Sequence, residues 1–226
     1  LTAMFRHEEA AEAYLEAAKL SPESVDAWVG RGDALYEIGK DEEAVAAYDS
    51  ALAADSRHHH SWVRKGDSFM RRASYYSALE SYNRAVNLVP EDHFGWYRLG
   101  SAYYGLGKFG DAAESFAYAS VLSPAYRDAI YMYAQSLAGL GRLKESADAY
   151  DKTNEIDPAY VDAMIGKGLV LSRLGRHDEA FASFDAAIKI RPDYYLAWTG
   201  KGDALYEIGK FRDAASAYDL ALKLRP

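Results

Sequence analysis

The sequence predicts an all-α chain built from tandem helix pairs, and three columns of residues predict it. Pro22, Pro90, Pro124, Pro158, Pro192 and Pro226 are spaced by 34 residues or its double, with Ser56 in the one vacancy. Trp28, Trp62, Trp96 and Trp198 share a second column, completed by Ile130 and Met164. A third reads Tyr14, Tyr48, Tyr82, Phe116, Tyr150, Phe184 and Tyr218, aromatic at every step. A register held over 226 residues without an insertion means that one supersecondary unit is stacked repeatedly.

The unit 25–58 shows how each element arises. Trp28, Gly32, Leu35 and Ile38 recur at three- and four-residue steps, which makes a helical stripe. Gly39 ends that helix, because a C-cap needs a residue that tolerates positive φ. Asp41, Glu42 and Glu43 open the next helix, where carboxylates complement the helix dipole, and Ala44, Tyr48, Ala51 and Leu52 form its stripe. Ser56, elsewhere proline, stops it, since proline cannot continue an interior helical ladder. Gly32, Gly66, Gly100, Gly168 and Gly202 lie inside first helices, where glycine costs roughly 1 kcal/mol against alanine. Close packing against Ala44 and Ala51, with Trp28 and Tyr48 on either side, is the expected compensation.

The spacing Trp28, Gly32, Leu35, Gly39, Ala44, Tyr48 and Ala51, closed by proline, resembles the tetratricopeptide repeat. The resemblance covers the whole chain as a single array, with full units at 25–58, 59–92, 93–126, 127–160, 161–194 and 195–226 and a partial one over 1–24. It implies a right-handed α-solenoid whose first helices line a concave groove, and a scaffold that binds other proteins. Unit 127–160 departs most, with Ile130, Ala134, Ser146 and Thr153 at usual Trp, Gly, Ala and Ala positions, so local softness is expected there. Unit 59–92 carries Ala73 where the turn glycine belongs.

On that geometry the groove positions are readable. Arginines and aromatics cluster in the second to fourth units, and the candidate partner-binding residues are Arg64, Asp67, Arg71, Phe94, Tyr97, Arg98, Tyr104 and Tyr131. Arginine forks can pair carboxylates bidentately, and tyrosines offer rigid contact area at low entropic cost. An extended or helical segment with an acidic or aromatic anchor is the expected occupant. A clamp for chaperone-tail carboxylates, which one subset of the family builds from lysine, arginine and asparagine, is not expected. The asparagines, Asn83, Asn87 and Asn154, fall on second helices, and the relevant groove column reads Asp33, Asp67, Ser101, Gln135, Leu169 and Asp203.

Other classes fare poorly. Net charge is −8, against broad nonspecific nucleic-acid binding, and no apolar run approaches the ~18–20 residues of a membrane span. Zero cysteines exclude disulfides and thiolate sites. His58, His59 and His60 are consecutive at a helix start, and adjacent helical residues point different ways, so no metal site is expected. No phosphate loop, cofactor motif or catalytic constellation is present, and the chain is expected to be non-catalytic and cytoplasmic. The alternative is a structural spacer or self-assembly module of a larger protein. Leu1 and Met4 look like the stub of a missing first helix, and no polar cap follows Pro226, so apolar ends are expected, read either as those of a piece of a longer protein or as sites of weak self-association.

Overall fold

A computed structural model describes residues 2–225, and among these all regular structure is α-helix. The first helices are α2 (Val25–Glu37), α4 (His59–Arg71), α6 (His93–Gly105), α8 (Arg127–Gly139), α10 (Val161–Arg173) and α12 (Tyr195–Glu207). Their second helices are α3 (Asp41–Ala54), α5 (Tyr75–Leu88), α7 (Phe109–Leu122), α9 (Leu143–Ile156), α11 (His177–Ile190) and α13 (Phe211–Leu224), all preceded by α1 (Thr2–Leu20). This is an all-α solenoid of tandem helix pairs. Each 34-residue window holds one pair. By its contacts the chain groups into two compact units, residues 1–108 and 109–226. In the first, α1 to α5 pack each on the next and α6 packs on α5; in the second, α7 to α12 do the same and α13 packs on α12. No helix of the described residues is long and apolar enough to cross a membrane.

The turn inside each pair follows from its glycine. At Gly39, with φ 79°, the amide donates to the Tyr36 carbonyl while the Lys40 amide donates to Leu35, the paired bonds of a Schellman cap. The same two bonds close α4 at Ala73 and Ser74, and Ala73 adopts φ 54°, the one positive value at a non-glycine residue among those described. The register therefore overrides the residue's own preference at this turn.

The packing inside a pair differs from the sequence expectation. The Tyr48 ring, rather than an alanine, lies directly over Gly32: a Cβ there would be 2.4 Å from Tyr48 Cε1. Tyr82 covers Gly66 and Phe184 covers Gly168 in the same way. The ring sits against the helix backbone at these three positions and leaves no room for a Cβ. The aromatic column forms the centre of the core, with Tyr48, Tyr82, Phe116 and Phe184 fully buried. The tryptophans have a further task. The indole N–H of Trp28, Trp62, Trp96 and Trp198 donates to the carbonyl of Pro22, Ser56, Pro90 and Pro192 respectively, six residues back, and so pins the turn between pairs.

α1 corrects one expectation. A separate stub at residues 1–4 would require a turn near position 5, yet α1 runs unbroken from Thr2 to Leu20. Phe5 stands where the full units carry glycine or Ala73, so the chain has no C-cap residue with which to turn. Leu1, the Met4 side chain and Pro226 lie outside the described residues. In unit 127–160 the polar departures are accommodated. Ser146 is fully buried and donates to the Ala134 carbonyl at 2.7 Å, and buried Thr153 donates to Ala149 at 2.9 Å.

Candidate protein-binding face

In the first compact unit, three first helices carry a chain of alternating charges. The Tyr48 hydroxyl donates to Asp33 Oδ1 at 2.7 Å, and Arg64 Nε, on the next first helix, donates to the same oxygen at 2.8 Å. One repeat later Tyr82 donates to Asp67 Oδ1 at 2.8 Å and Arg98 Nε does so at 2.9 Å. Tyrosine, aspartate and arginine thus tie the core of one pair to the first helix of the next. The remaining Arg64 nitrogens face Glu37 at 3.5 Å and Asp67 at 3.8 Å, so this guanidinium is enclosed by three carboxylates. His60 Nε2 lies 3.5 Å from Asp33 Oδ2.

The electrostatics follow from these contacts. Burial alone would raise the Asp33 carboxyl, but hydrogen bonds from His60, Arg64 and Tyr48 outweigh it and hold Asp33 down at about 2. Burial, and then the bond to Asp33, push the Tyr48 hydroxyl well above the ordinary tyrosine range; burial and the Asp67 charge do the same to Tyr82. These groups are moved away from neutrality, in opposite directions.

The expected binding residues fall into distinct settings. Arg64 and Asp67 are interior to the charge chain. Arg71 grips Asp41 with its Nε and Nη2, donates to the Tyr36 carbonyl at 2.6 Å, and stacks on the Tyr36 ring, whose centroid is 3.7 Å from its Cζ. Arg64 is 4.2 Å from the same centroid. Phe94 and Arg98 stand one turn apart on α6, with Phe94 48 % exposed. Arg98 uses Nε on Asp67, and its two Nη groups have no hydrogen-bond partner among the described residues. Tyr97 and Tyr104 on α6 are half-buried. Tyr131 belongs to the second compact unit. It accepts a hydrogen bond from Gln135 at 2.7 Å and packs against the Tyr150 and Tyr160 rings, and burial raises its hydroxyl above the ordinary range.

The three consecutive histidines diverge. His58 Nδ1 lies 2.8 Å from the Ser61 hydroxyl, His59 Nε2 lies 3.3 Å from Asp92 Oδ2 without hydrogen-bond alignment, and His60 faces Asp33. A shallow concavity of about 440 Å3 lies between α4 and α5 and is lined by Ser56, Trp62, Glu80, Arg84 and Leu88.

The sequence reading missed Asp33, Tyr48 and Tyr82 as members of this network, although the columns signal it. Asp33, Tyr48 and Arg64 go together, as do Asp67, Tyr82 and Arg98; where the aspartate column reads Leu169, the others read Phe184 and Gly200. The Gln135 row is mixed: it keeps the hydroxyl, at Tyr150, and has Gly166 in place of the arginine.

Comparison with known proteins agrees with this architecture. A search of curated proteins returns no match. Among solved structures, the chain is similar to YrrB, described as a TPR protein with an unusual peptide-binding site, at 26 % identity and a TM-score of 0.74, covering 83 % of this chain and 97 % of that one. It shares its fold with MamA 41-end from Desulfovibrio magneticus RS-1, at 16 % identity and a TM-score of 0.71 over 75 % and 96 % of the two chains. A thermophilic TPR protein of Thermus thermophilus, TTC0263, has 22 % identity and a TM-score of 0.60, over 74 % and 92 %. The family profile described as Tetratricopeptide repeat matches residues 6–59, 42–93, 63–126, 97–160, 131–195 and 165–226, so that the chain belongs to the tetratricopeptide repeat family.

Proposed function

We propose that this chain is a non-catalytic scaffold whose first-helix face binds a segment of a partner protein, with the main anchor on α6. The observation that carries the reading is the Phe94–Arg98 step. An exposed ring and a guanidinium with its Nη groups unengaged lie one helical turn apart, beside half-buried Tyr97 and Tyr104. A carboxylate can take the Nη edge of Arg98 in bidentate fashion while a neighbouring apolar or aromatic side chain covers Phe94. Arg64 and Arg71 are engaged with Asp33 and Asp41, so their part is to fix the face rather than to grip the ligand. YrrB, similar over most of this chain, is described as carrying a peptide-binding site, which favours a peptide as occupant.

Catalysis is not part of this reading. General acid–base groups work best with pKa values near the operating pH, whereas Asp33 is held at about 2 and the tyrosines are raised.

Selection of a peptide display library on the immobilised chain tests the proposal. Binders are expected to share an acidic residue beside an aromatic or apolar one. Arg98→Gln should weaken them about tenfold or more, the value of a lost charged hydrogen bond. Binders indifferent to both Arg98→Gln and Phe94→Ala would refute the anchor.

A further inference from the structure

The tryptophan column is broken at Ile130 and Met164, and the two breaks differ. Ile130 is 2 % exposed. Met164 is half-buried and lines an open concavity of about 330 Å3 over α10, between α9 and α11. Its walls are Met164 and Lys167 of α10, Asp151 and Asn154 of α9, and Ala182 and Ala186 of α11, all within the compact unit 109–226. Three columns shorten together here. Met164 stands for tryptophan. Ala182 stands where the other units carry Ala46, Glu80, Glu114, Asp148 and Ser216, and Ala186 where they carry Ser50, Arg84, Tyr118, Lys152 and Leu220. The unit 25–58 is small at both of these positions but keeps Trp28, so 161–194 alone lacks the indole and has alanine at both.

The tether that tryptophan supplies is replaced as well. Each indole N–H donates to the carbonyl six residues back, which for Met164 is that of Pro158, and no described donor meets it. Asn154 holds this turn instead, its Nδ2 donating to the Tyr160 carbonyl at 3.0 Å. The fold therefore does not need the indole's place filled from within. Unit 59–92 shows what fits there. Lys65 pairs with Asp49 at 2.6 Å while its Nζ lies 5.2 Å from the Trp62 ring centroid. Lys167 pairs with Asp151 at 2.5 Å in the same register, beside Met164 instead of a ring. Glu179, also at the rim, is paired with Arg176. Both carboxylates are thus neutralised, and the concavity offers a thioether, two methyl groups and an ammonium edge.

We propose that the concavity at Met164 docks a tryptophan side chain borne on a segment of a partner protein, in the place that Trp28, Trp62, Trp96 and Trp198 fill in their own units. The flexible Met164 thioether adapts to a ring and attracts it. Lys167 stands to that ring as Lys65 does to Trp62. The Pro158 carbonyl accepts from the indole N–H, which favours tryptophan over phenylalanine. An open site holds a lone ring by one side, so a ring whose flanking residues also touch Ala182 and Ala186 is a better occupant than a free small molecule. A second copy of this chain does not supply the indole, because each of its four tryptophans holds its own turn. None of these residues belongs to α6, so failure of one reading leaves the other standing.

The test uses the whole chain, labelled with 15N and with 13C at the methionine methyls, and the end-blocked peptide Ala-Ala-Trp-Ala-Ala. A saturable upfield shift is expected at the Met164 methyl, from the ring current, with the Met70 and Met132 methyls unmoved. Replacing the peptide's tryptophan by leucine should weaken binding about threefold or more, the loss of sulfur and cation contacts to a ring. N-acetyltryptophanamide should bind about fourfold more weakly than the peptide, the equivalent of one buried methylene. Met164→Trp fills the place from within, and Ala186→Arg, at an exposed position, closes it with the residue that 59–92 carries as Arg84. Each should remove saturable binding, read at the Ala182 amide. No saturable shift at Met164, a leucine peptide that binds equally, or binding that survives both substitutions overturns the proposal. So does equal affinity for N-acetyltryptophanamide, which would make the site one for a small aromatic molecule, or a peptide-free Met164 shift that grows with chain concentration, which would give it to a second copy.

Discussion

Arg64 Nε donates to Asp33 Oδ1 across 31 residues of sequence, onto the same oxygen that receives the Tyr48 hydroxyl. The contact joins two first helices through a buried aromatic. Arg98, Asp67 and Tyr82 repeat it one pair later. The neighbour contacts on which a repeat array depends are thus specified by polar side chains as well as by the core.

Removing one partner should expose that dependence. Arg64→Ala is expected to lower stability by about 1–2 kcal/mol, because it strips a half-buried carboxylate of a charged donor. In a double-mutant cycle with Asp33→Asn, read as urea midpoints, a coupling of about 0.5 kcal/mol or more is expected between the two positions. Strictly additive midpoints would show that the contact contributes nothing.

Acid should undo the same tether within a narrow window. Asp33 titrates at about 2 in the folded chain against an ordinary 3.8, so its ionised form is favoured by folding. The stability it contributes is complete above about pH 4 and is lost as pH falls through 2. The stability gap between the native chain and Asp33→Asn should be constant from about pH 7 to 4 and shrink below that. A gap that changes instead between pH 5 and 7 would assign the effect to another group.

Ala73 is the backbone misfit of the array. A non-glycine residue in the left-handed region is strained by roughly 1–2 kcal/mol. Ala73→Gly should raise the melting midpoint in spite of glycine's larger unfolded-state entropy, for a net gain of about 0.5–1 kcal/mol. Gly39→Ala should cost a similar amount, though a Cβ there meets nothing within 4 Å, since the penalty comes from φ alone.

Helix propensity and packing oppose each other at Gly66. Alanine there gains about 1 kcal/mol of propensity, yet its Cβ would lie 2.4 Å from the fully packed Tyr82 ring. Overpacking of this kind costs about 1–3 kcal/mol, so Gly66→Ala should destabilise on balance. Gly110→Ala, also helical but with open space around the new Cβ, should be neutral or stabilising in the same thermal assay.

Much of the fold was legible because one pattern is written several times. Proline, glycine and aromatic columns each report a local requirement, namely a stop, a positive φ or a core ring, and repetition separates that requirement from chance. The unbroken α1 escaped notice because the register suggested a turn that Phe5 cannot make. The candidate face was less legible. The residue types Arg64 and Arg71 suggested free anchors, whereas Asp33 and Asp41 already engage them. The Asp33 and Asp67 contacts emerge only when columns offset by 15 and 31 residues are compared, and single columns conceal them.

The central claim is that a partner segment binds on the first helices and is anchored at α6. It is tested most directly by mapping a selected acidic–aromatic peptide onto the 15N-labelled chain by amide shift perturbation. The account predicts the largest shifts along His93–Gly105 and the facing side of His59–Arg71, with those at Phe94 and Arg98 lost in Arg98→Gln. Shifts concentrated on the second helices Tyr75–Leu88 and Asp41–Ala54, with α6 unmoved, would contradict it.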